Sequence, residues 1–391
     1  MEAMQAYEAK MLINGKELQI STGKLAKQAG GAVLVRYADS MVLVTATRSK
    51  MEKDLGYFPL SVEFEEKMYA AGKMPGGFIK REGRPSENAI ISARLVDRSI
   101  RPLFPKDFKK EVQVVCLTMS SDMSNPIDVC AIVGASAALG ISDIPFEGPI
   151  ASIRVGRIDG KFIANPTYEE QEKSDLNIVV AGTEDSIMMV EGEANEISEK
   201  VFLEGVDFAR EIIGQLVALQ RGMIEKMGKP KAKYDVHEID EALSGEVVKF
   251  VEEKVKEALN GKSKEEREEA MEAIRAEAVE KYGASDEGTP DAQKAKDIGD
   301  IIEKYEKKKM REMIVNSGVR PDGRAMDEIR PISCETGLTP RTHGSALFTR
   351  GQTQVLSTVT LGSIRDAQRI DGISNDSDKP YIHQYNFPPF S

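Results

Sequence analysis

Apolar positions recur in short β-type runs over the first 220 residues and switch to a helical period afterwards. Runs rich in Val, Ile and Thr at 33–35, 41–47, 112–119, 150–155 and 176–181 predict strands. Between and after them, 86–100, 127–140 and 194–225 predict helices. Ser86 suits an N-cap, and Pro126 suits the first turn of the helix that follows it. Strands with intervening helices imply an α/β domain packed in layers. From about residue 238 the chain is dense in Glu, Lys, Arg and Ala. Leu243, Val247, Val251, Val255 and Ala258 fall at helical spacing. Asn260-Gly261 ends that helix, and Ser263 with Glu266 forms a capping box for the next, which runs to Gly283. Residues 285–291 read as a loop. Ile298, Ile301, Ile302 and Tyr305 mark a third helix. Stripes this regular fit a packed helical domain better than a charged tether.

The opening pattern then returns. Gly23, Gly30, Ala32 and Arg36 recur as Gly337, Gly344, Ala346 and Arg350, all at one offset, and a β-rich run follows each set. Tyr57-Phe58-Pro59-Leu60-Ser61 has its echo in Phe387-Pro388-Pro389-Phe390-Ser391. Three parts are therefore expected: a first core over 1–235, an all-helical linker over 236–311, and a second copy of the first core beginning at 312 and stopping about a third of the way in at 391.

Composition narrows the class. The apolar share is 41% and the charged share 30%, an ordinary globular balance. No run is long enough to span a bilayer, no leader is expected from Met1 to Gln5, and three cysteines without a CxxC pair suit a reducing compartment, so a cytoplasmic protein with no membrane partner is expected. The net charge of −11 excludes a uniformly basic nucleic-acid binder. Residues 78–110 depart from it, with nine Lys/Arg against four acids. A basic band on an acidic protein suits a confined polyanion site.

Several apparent motifs fail. Gly261-Lys262-Ser263 imitates the end of a P-loop, but Lys256 stands where the first glycine should be and a helix precedes it. His237, His343 and His383 have no zinc spacing. The informative stretch is Pro75 to Glu87, a Gly/Pro-rich loop ending at a helix cap, with Phe78 and Ile79 beside Lys80 and Arg81, and Arg84 further on. An exposed aromatic offers a face for stacking bases, and neighbouring cations hold phosphates. The competing reading buries Phe78 and Ile79 and leaves the charges solvated. Arg94, Arg98 and Arg101 share one helical face, where they suit phosphates or ion pairs with acids such as Asp97.

At Phe78–Glu87, at Arg94-Leu95-Val96-Asp97-Arg98-Ser99-Ile100-Arg101-Pro102-Leu103-Phe104-Pro105, at Pro321-Asp322-Gly323-Arg324 and at Pro340–Phe348, the chain resembles the bacterial polynucleotide phosphorylase family. The resemblance covers the whole chain in family order and implies an α/β RNase PH-like core, an all-α linker domain and a partial second RNase PH-like core. It further implies phosphorolytic 3′-to-5′ decay of single-stranded RNA, with inorganic phosphate as co-substrate, nucleoside diphosphates as products and magnesium as cofactor. A homotrimeric ring and association with other RNA-degradation proteins follow from it too. By the same resemblance, Phe78, Ile79, Lys80, Arg81 and Arg84 grip RNA in the pore, and Arg94, Arg98 and Arg101 are candidate phosphate contacts. Where the family has Phe-Phe-Arg-Arg, this chain has Ile79 and Lys80 at the second and third places.

The family's phosphate turn and its Asp pair lie in the second core, at positions past Ser391. Mapped onto the first core from Ala181-Gly182-Thr183, the Asp pair becomes Gln171 and Asn177, and the following Lys becomes Val179. Glu169, Glu170, Glu172 and Asp175 read as a solvated acidic turn. At the other half-site, Asp122 and Asp128 place negative charge where a phosphate would dock. The first core is therefore expected to bind and organise without catalytic or metal-binding residues. An isolated chain of this length is expected to hold no metal and to be inactive, the alternative reading being a non-catalytic RNA-binding or scaffold protein.

Overall fold

The computed structural model describes residues 6–52, 56–76, 78, 80–260, 263–284, 291–374 and 378–391. Ile79, Gly261, Lys262 and the loop at 285–290, singled out above, lie outside the described residues. The chain is an α/β protein that divides into two compact units, residues 1–236 with 366–391, and residues 237–365.

The first unit is built from two larger sheets with helices between them, and a two-stranded ribbon of Gln368–Arg369 with Asp378–Lys379. Strands β1 (Tyr7–Ile13), β2 (Lys16–Thr22), β3 (Gly31–Tyr37), β4 (Ser40–Glu52), β5 (Leu60–Glu65) and β6 (Lys110–Ser120) form one sheet in the order β1-β2-β3-β4-β6-β5. All its pairs are antiparallel except β5 with β6. Strands β7 (Ala151–Ile158), β8 (Lys161–Ala164), β9 (Leu176–Gly182) and β10 (Ile187–Ala194) form the other, in the order β10-β9-β7-β8. Helix α1 (Glu87–Ile100) packs on β5, and α2 (Asp128–Ile141) touches β3 and β4 on one side and β7 on another. The short α3 (Tyr168–Lys173) precedes β9, and α4 (Glu199–Met227) crosses β7 and β9.

Sequence accounts for these placements. Val33, Val35 and Tyr37 alternate with less buried neighbours in β3, giving one core face. By contrast, α2 is apolar all round and every residue from Val129 to Ile141 is buried, which fits a helix enclosed on all sides. It lies close because Gly31 and Gly134 carry no β-carbon. One at Gly31 would sit 2.0 Å from the Ala138 carbonyl oxygen, and one at Gly134 would sit 2.6 Å from Val44 Cγ2.

The second unit holds α5 (Glu241–Leu259), α6 (Lys264–Tyr282) and α7 (Ala292–Ser317) around a core of Val247, Val251, Val255, Met271, Ile274, Ala278, Ile298, Ile301, Ile302 and Tyr305. The capping box of Ser263 and Glu266 is formed with both of its hydrogen bonds. The same unit carries an antiparallel sheet of β11 (Ile332–Thr336), β12 (Gly344–Arg350) and β13 (Thr353–Val359). The hairpin β12–β13 turns at Gly351-Gln352 as β3–β4 turns at Ala38-Asp39, and the first residue of each turn has positive φ. The repeat is present as structure, but one residue out of the register read from the sequence: Gly344 and Arg350 stand where Gly31 and Tyr37 do, not where Gly30 and Arg36 do. The second hairpin is far less covered, with Phe348, Val355 and Val359 exposed where Val35, Val42 and Ala46 are buried. Among the described residues no helix is long and apolar enough to cross a membrane.

Candidate functional site

The loop before α1 is shaped by two residues of positive φ, Lys80 at 55° and Gly83 at 71°. Ser86 closes it. Its Oγ accepts from Ala89 N at 3.0 Å, capping α1, and donates to Glu66 Oε2 at 2.5 Å. Phe78 is wholly exposed, at 101% of its reference area. The reading that buried Phe78 in the core is thereby set aside. Lys80, Arg81 and Arg84 are exposed as well. Arg81 and Arg84 have no hydrogen-bond or ion-pair partner among the described residues, so both charges face outward. Beside the loop is a cavity of about 690 Å³ lined by Phe64, Ile90 and Ala93, by Arg81, Arg84 and Arg94, and by acids that include Glu82 and Asp371.

The three arginines, two on α1 and Arg101 just past its end, part company. Arg94 is exposed and has no partner among the described residues. Arg98 pairs with Glu191 of β10. Arg101 grips Asp97 through both carboxylate oxygens, at 2.7 and 2.6 Å, and donates to the carbonyl oxygens of Phe58 and Leu60 at 3.1 and 3.2 Å. Arg101 thus covers the outer edge of β5 and secures α1 against it.

The half-site opening α2 is filled by its own carboxylate. Asp122 Oδ1 accepts from the backbone N–H groups of Ser124 and Asn125 at 2.9 and 2.8 Å, and Oδ2 accepts from Asn125 Nδ2 at 2.6 Å. Backbone donors in such a turn suit an oxyanion, and here the anion is part of the chain. Burial pushes the Asp122 carboxyl up, but the hydrogen bonds from Asn125, Ser124 and Ser40 outweigh it and hold the group below its ordinary 3.8. Lys16 Nζ, 2.7 Å from Asn125 Oδ1, completes the cluster. A carboxyl depressed in the fold contributes stability that is full above its unfolded value and is lost as pH falls through the lower, folded one. Asp122→Asn is therefore expected to flatten the acid limb of a stability-versus-pH titration below about pH 4, the ordinary carboxyl range. An unchanged limb would contradict this role.

The other half-site holds a cation that no local pattern announces. Arg154 on β7 pairs with Asp128, the first residue of α2, and each side chain keeps only 14% of its exposure. Arg154 Nη1 also donates to Asn177 Oδ1 at 2.9 Å. Asn177 Nδ2 in turn donates to Gln171 Oε1 at 3.4 Å, and Gln171 Nε2 donates to the Pro166 carbonyl at 3.0 Å. These residues do not fit a magnesium ion. Two of the oxygens that would face it belong to neutral amides, and the part-buried Asp128 carboxylate is already neutralised by a guanidinium. Three of the neighbouring acids are engaged, although Asp175 Oδ1 is buried with no hydrogen-bond partner among the described residues. Glu170 caps α3 with Thr167, Glu169 pairs with Lys173, and Asp175 Oδ2 lies 2.6 Å from Arg157 Nη1.

Comparison with known proteins agrees with this layout. The family model described as 3′ exoribonuclease family, domain 1, matches residues 14–145 and again 328–391. The domain 2 model of the same family matches 148–212. The chain belongs to the 3′ exoribonuclease family. Residues 242–325 match the model for the RNA-binding domain of polyribonucleotide nucleotidyltransferase. The chain is 51% identical over 389 residues to the polyribonucleotide nucleotidyltransferase of Heliobacterium modesticaldum, covering 99% of this chain and 54% of that protein. To the enzyme of the same name from Geobacillus kaustophilus it is 51% identical over 379 residues, covering 97% and 52%. The chain therefore spans about half the length of the curated relatives it matches. A solved chain of the Archaeoglobus fulgidus exosome, with RNA bound to its active site, is 18% identical with a TM-score of 0.42, over 57% of this chain and 87% of that one.

Proposed function

We propose that this chain serves the phosphorolytic 3′-to-5′ degradation of single-stranded RNA, in which phosphate attacks the terminal phosphodiester and a nucleoside diphosphate leaves, reversibly. In this reading Phe78, Ile79, Lys80, Arg81 and Arg84 grip the RNA, Arg94 adds a phosphate contact, and Arg98 and Arg101 brace the fold through Glu191 and Asp97. The first core, residues 1–235, binds and organises. The helical linker over 236–311 joins it to the second core, which begins at 312. Magnesium, inorganic phosphate and the chemistry belong to the part of the second core that the longer relatives continue into. Assembly as a homotrimer in the cytoplasm, in company with other RNA-degradation proteins, completes the proposal.

One observation carries it. The tip of the basic loop presents a fully exposed aromatic beside guanidinium groups that have no partner among the described residues, a pairing that suits bases and phosphates in any sequence. The test is binding of a fluorescein-labelled oligoadenylate by the purified chain. Phe78→Ala with Arg81→Ala should weaken it strongly, and unaltered affinity would sink the reading. A second reading, a non-catalytic RNA-binding or scaffold protein, is favoured for the first core alone by the Arg154 guanidinium seated among Asp128 and Asn177.

A further inference from the structure

The basic loop is long and poorly tied down. After the Lys73 N–H bond to the Met68 carbonyl, no residue from 74 to 85 makes a backbone–backbone hydrogen bond among the described residues. The Glu82 side chain reaches the Met68 N–H only at 3.5 Å. Ordering a loop costs conformational entropy, and backbone ties among these described residues do not offset it. Something outside the loop must hold its base.

We propose that Asp371–Ile373 is a clasp that positions the basic loop, with Lys73 as the positioning residue that joins them. Lys73 Nζ donates to the Gly372 carbonyl at 2.7 Å, across 299 residues of sequence. Ser121 Oγ donates to the Ile373 carbonyl at 3.1 Å, while the Ser121 N–H donates to the carbonyl of Ala70, three residues before Lys73. Ile373 is buried, so the clasp is seated by an apolar anchor. The loop also runs against Asp371, since a β-carbon at Gly76 would come within 2.9 Å of its Oδ2. Six residues on from Ile373, Lys379 pairs with Glu87, the first residue of α1, where the loop ends. One stretch of chain therefore holds both ends of the loop. A charge-assisted hydrogen bond is the strongest single tie of this kind. Ser121 adjoins Asp122, so the same clasp rests on the turn whose own carboxylate fills the half-site.

This inference rests on the loop being the RNA grip, and the experiment separates the two. Affinity for labelled oligoadenylate, exchange of the Lys73 and Ser121 amides and the melting temperature are measured for Lys73→Met and Ile373→Ala, beside Phe78→Ala with Arg81→Ala. Lys73→Met is expected to weaken binding about tenfold, as loss of one charge-assisted hydrogen bond implies. Exchange of the Lys73 and Ser121 amides, which are bonded to Met68 and Ala70, should quicken, with the melting temperature falling by about 2–4 °C. Lys73→Arg should restore all three, and Lys73→Met should add nothing to the loss of binding once Phe78 and Arg81 are gone. Wild-type affinity in Lys73→Met and Ile373→Ala, with binding lost in the loop double variant, would overturn the clasp and leave the RNA reading standing. Wild-type affinity in the loop double variant would remove both.

Discussion

Replacing Arg154 by alanine should destabilise the first core by about 3 kcal/mol, the low end of the range for stripping one partner from a buried ion pair, because this pair is only part-buried. Asp128 would be left charged at the start of a helix enclosed by two sheets, its side chain only 14% exposed. Asn177 Oδ1 would lose its donor at the same moment. The pair as a whole contributes far less than this, because desolvation of both charges offsets most of their attraction. Arg154→Ala combined with Asp128→Ala should therefore recover most of the loss. Denaturant titration of the four proteins of that cycle measures the coupling, and hydrogen exchange over 128–182 assigns the change to this core. A loss below about 1 kcal/mol for the single variant would place Arg154 among ordinary surface pairs.

The second large effect belongs to the loop. Phe78→Ala with Arg81→Ala should weaken oligoadenylate binding about a hundredfold. Stacking on one aromatic contributes roughly 1–3 kcal/mol per base, and each 1.4 kcal/mol is a factor of ten. Removal of a phosphate contact should also lower the salt dependence of binding. Arg98→Ala is the control within α1. Its guanidinium already serves Glu191, both side chains are about half exposed, and such pairs contribute about 0–1 kcal/mol. RNA affinity should scarcely notice its loss, whereas Arg94→Ala, with no partner to release, should weaken binding. The opposite order would mean that the RNA path follows Arg98 and not the loop.

What the sequence disclosed was mostly local. Ser86 as a cap, the Ser263–Glu266 box and the valine stripe of α5 each involve residues within a few positions, where periodicity and capping chemistry act. The recurrence of Gly23, Gly30, Ala32 and Arg36 disclosed the second hairpin for the same reason, since a repeat is a comparison of local patterns. Phe78 could be placed at a loop tip but not shown to be exposed, because exposure depends on what packs against it. The least legible residues act across distance. Arg154 meets Asp128 from a strand 26 residues on, and its neighbours in sequence, Ile153 and Val155, describe only a buried strand. The substitution of Gln171 and Asn177 for carboxylates was readable, while the guanidinium that makes their neutrality consistent was not. Lys73 and Gly372 are further apart still, and only the fold brings them together.

The decisive measurement is ADP release from poly(A) by the purified chain with phosphate and magnesium present. With Arg154 seated on Asp128 and Asn177 and with Asp122 filling the anion turn, the first core should release no ADP above a blank lacking protein, even while it binds the RNA. Sustained release at the rate of a full-length relative assayed alongside would contradict the account at its centre.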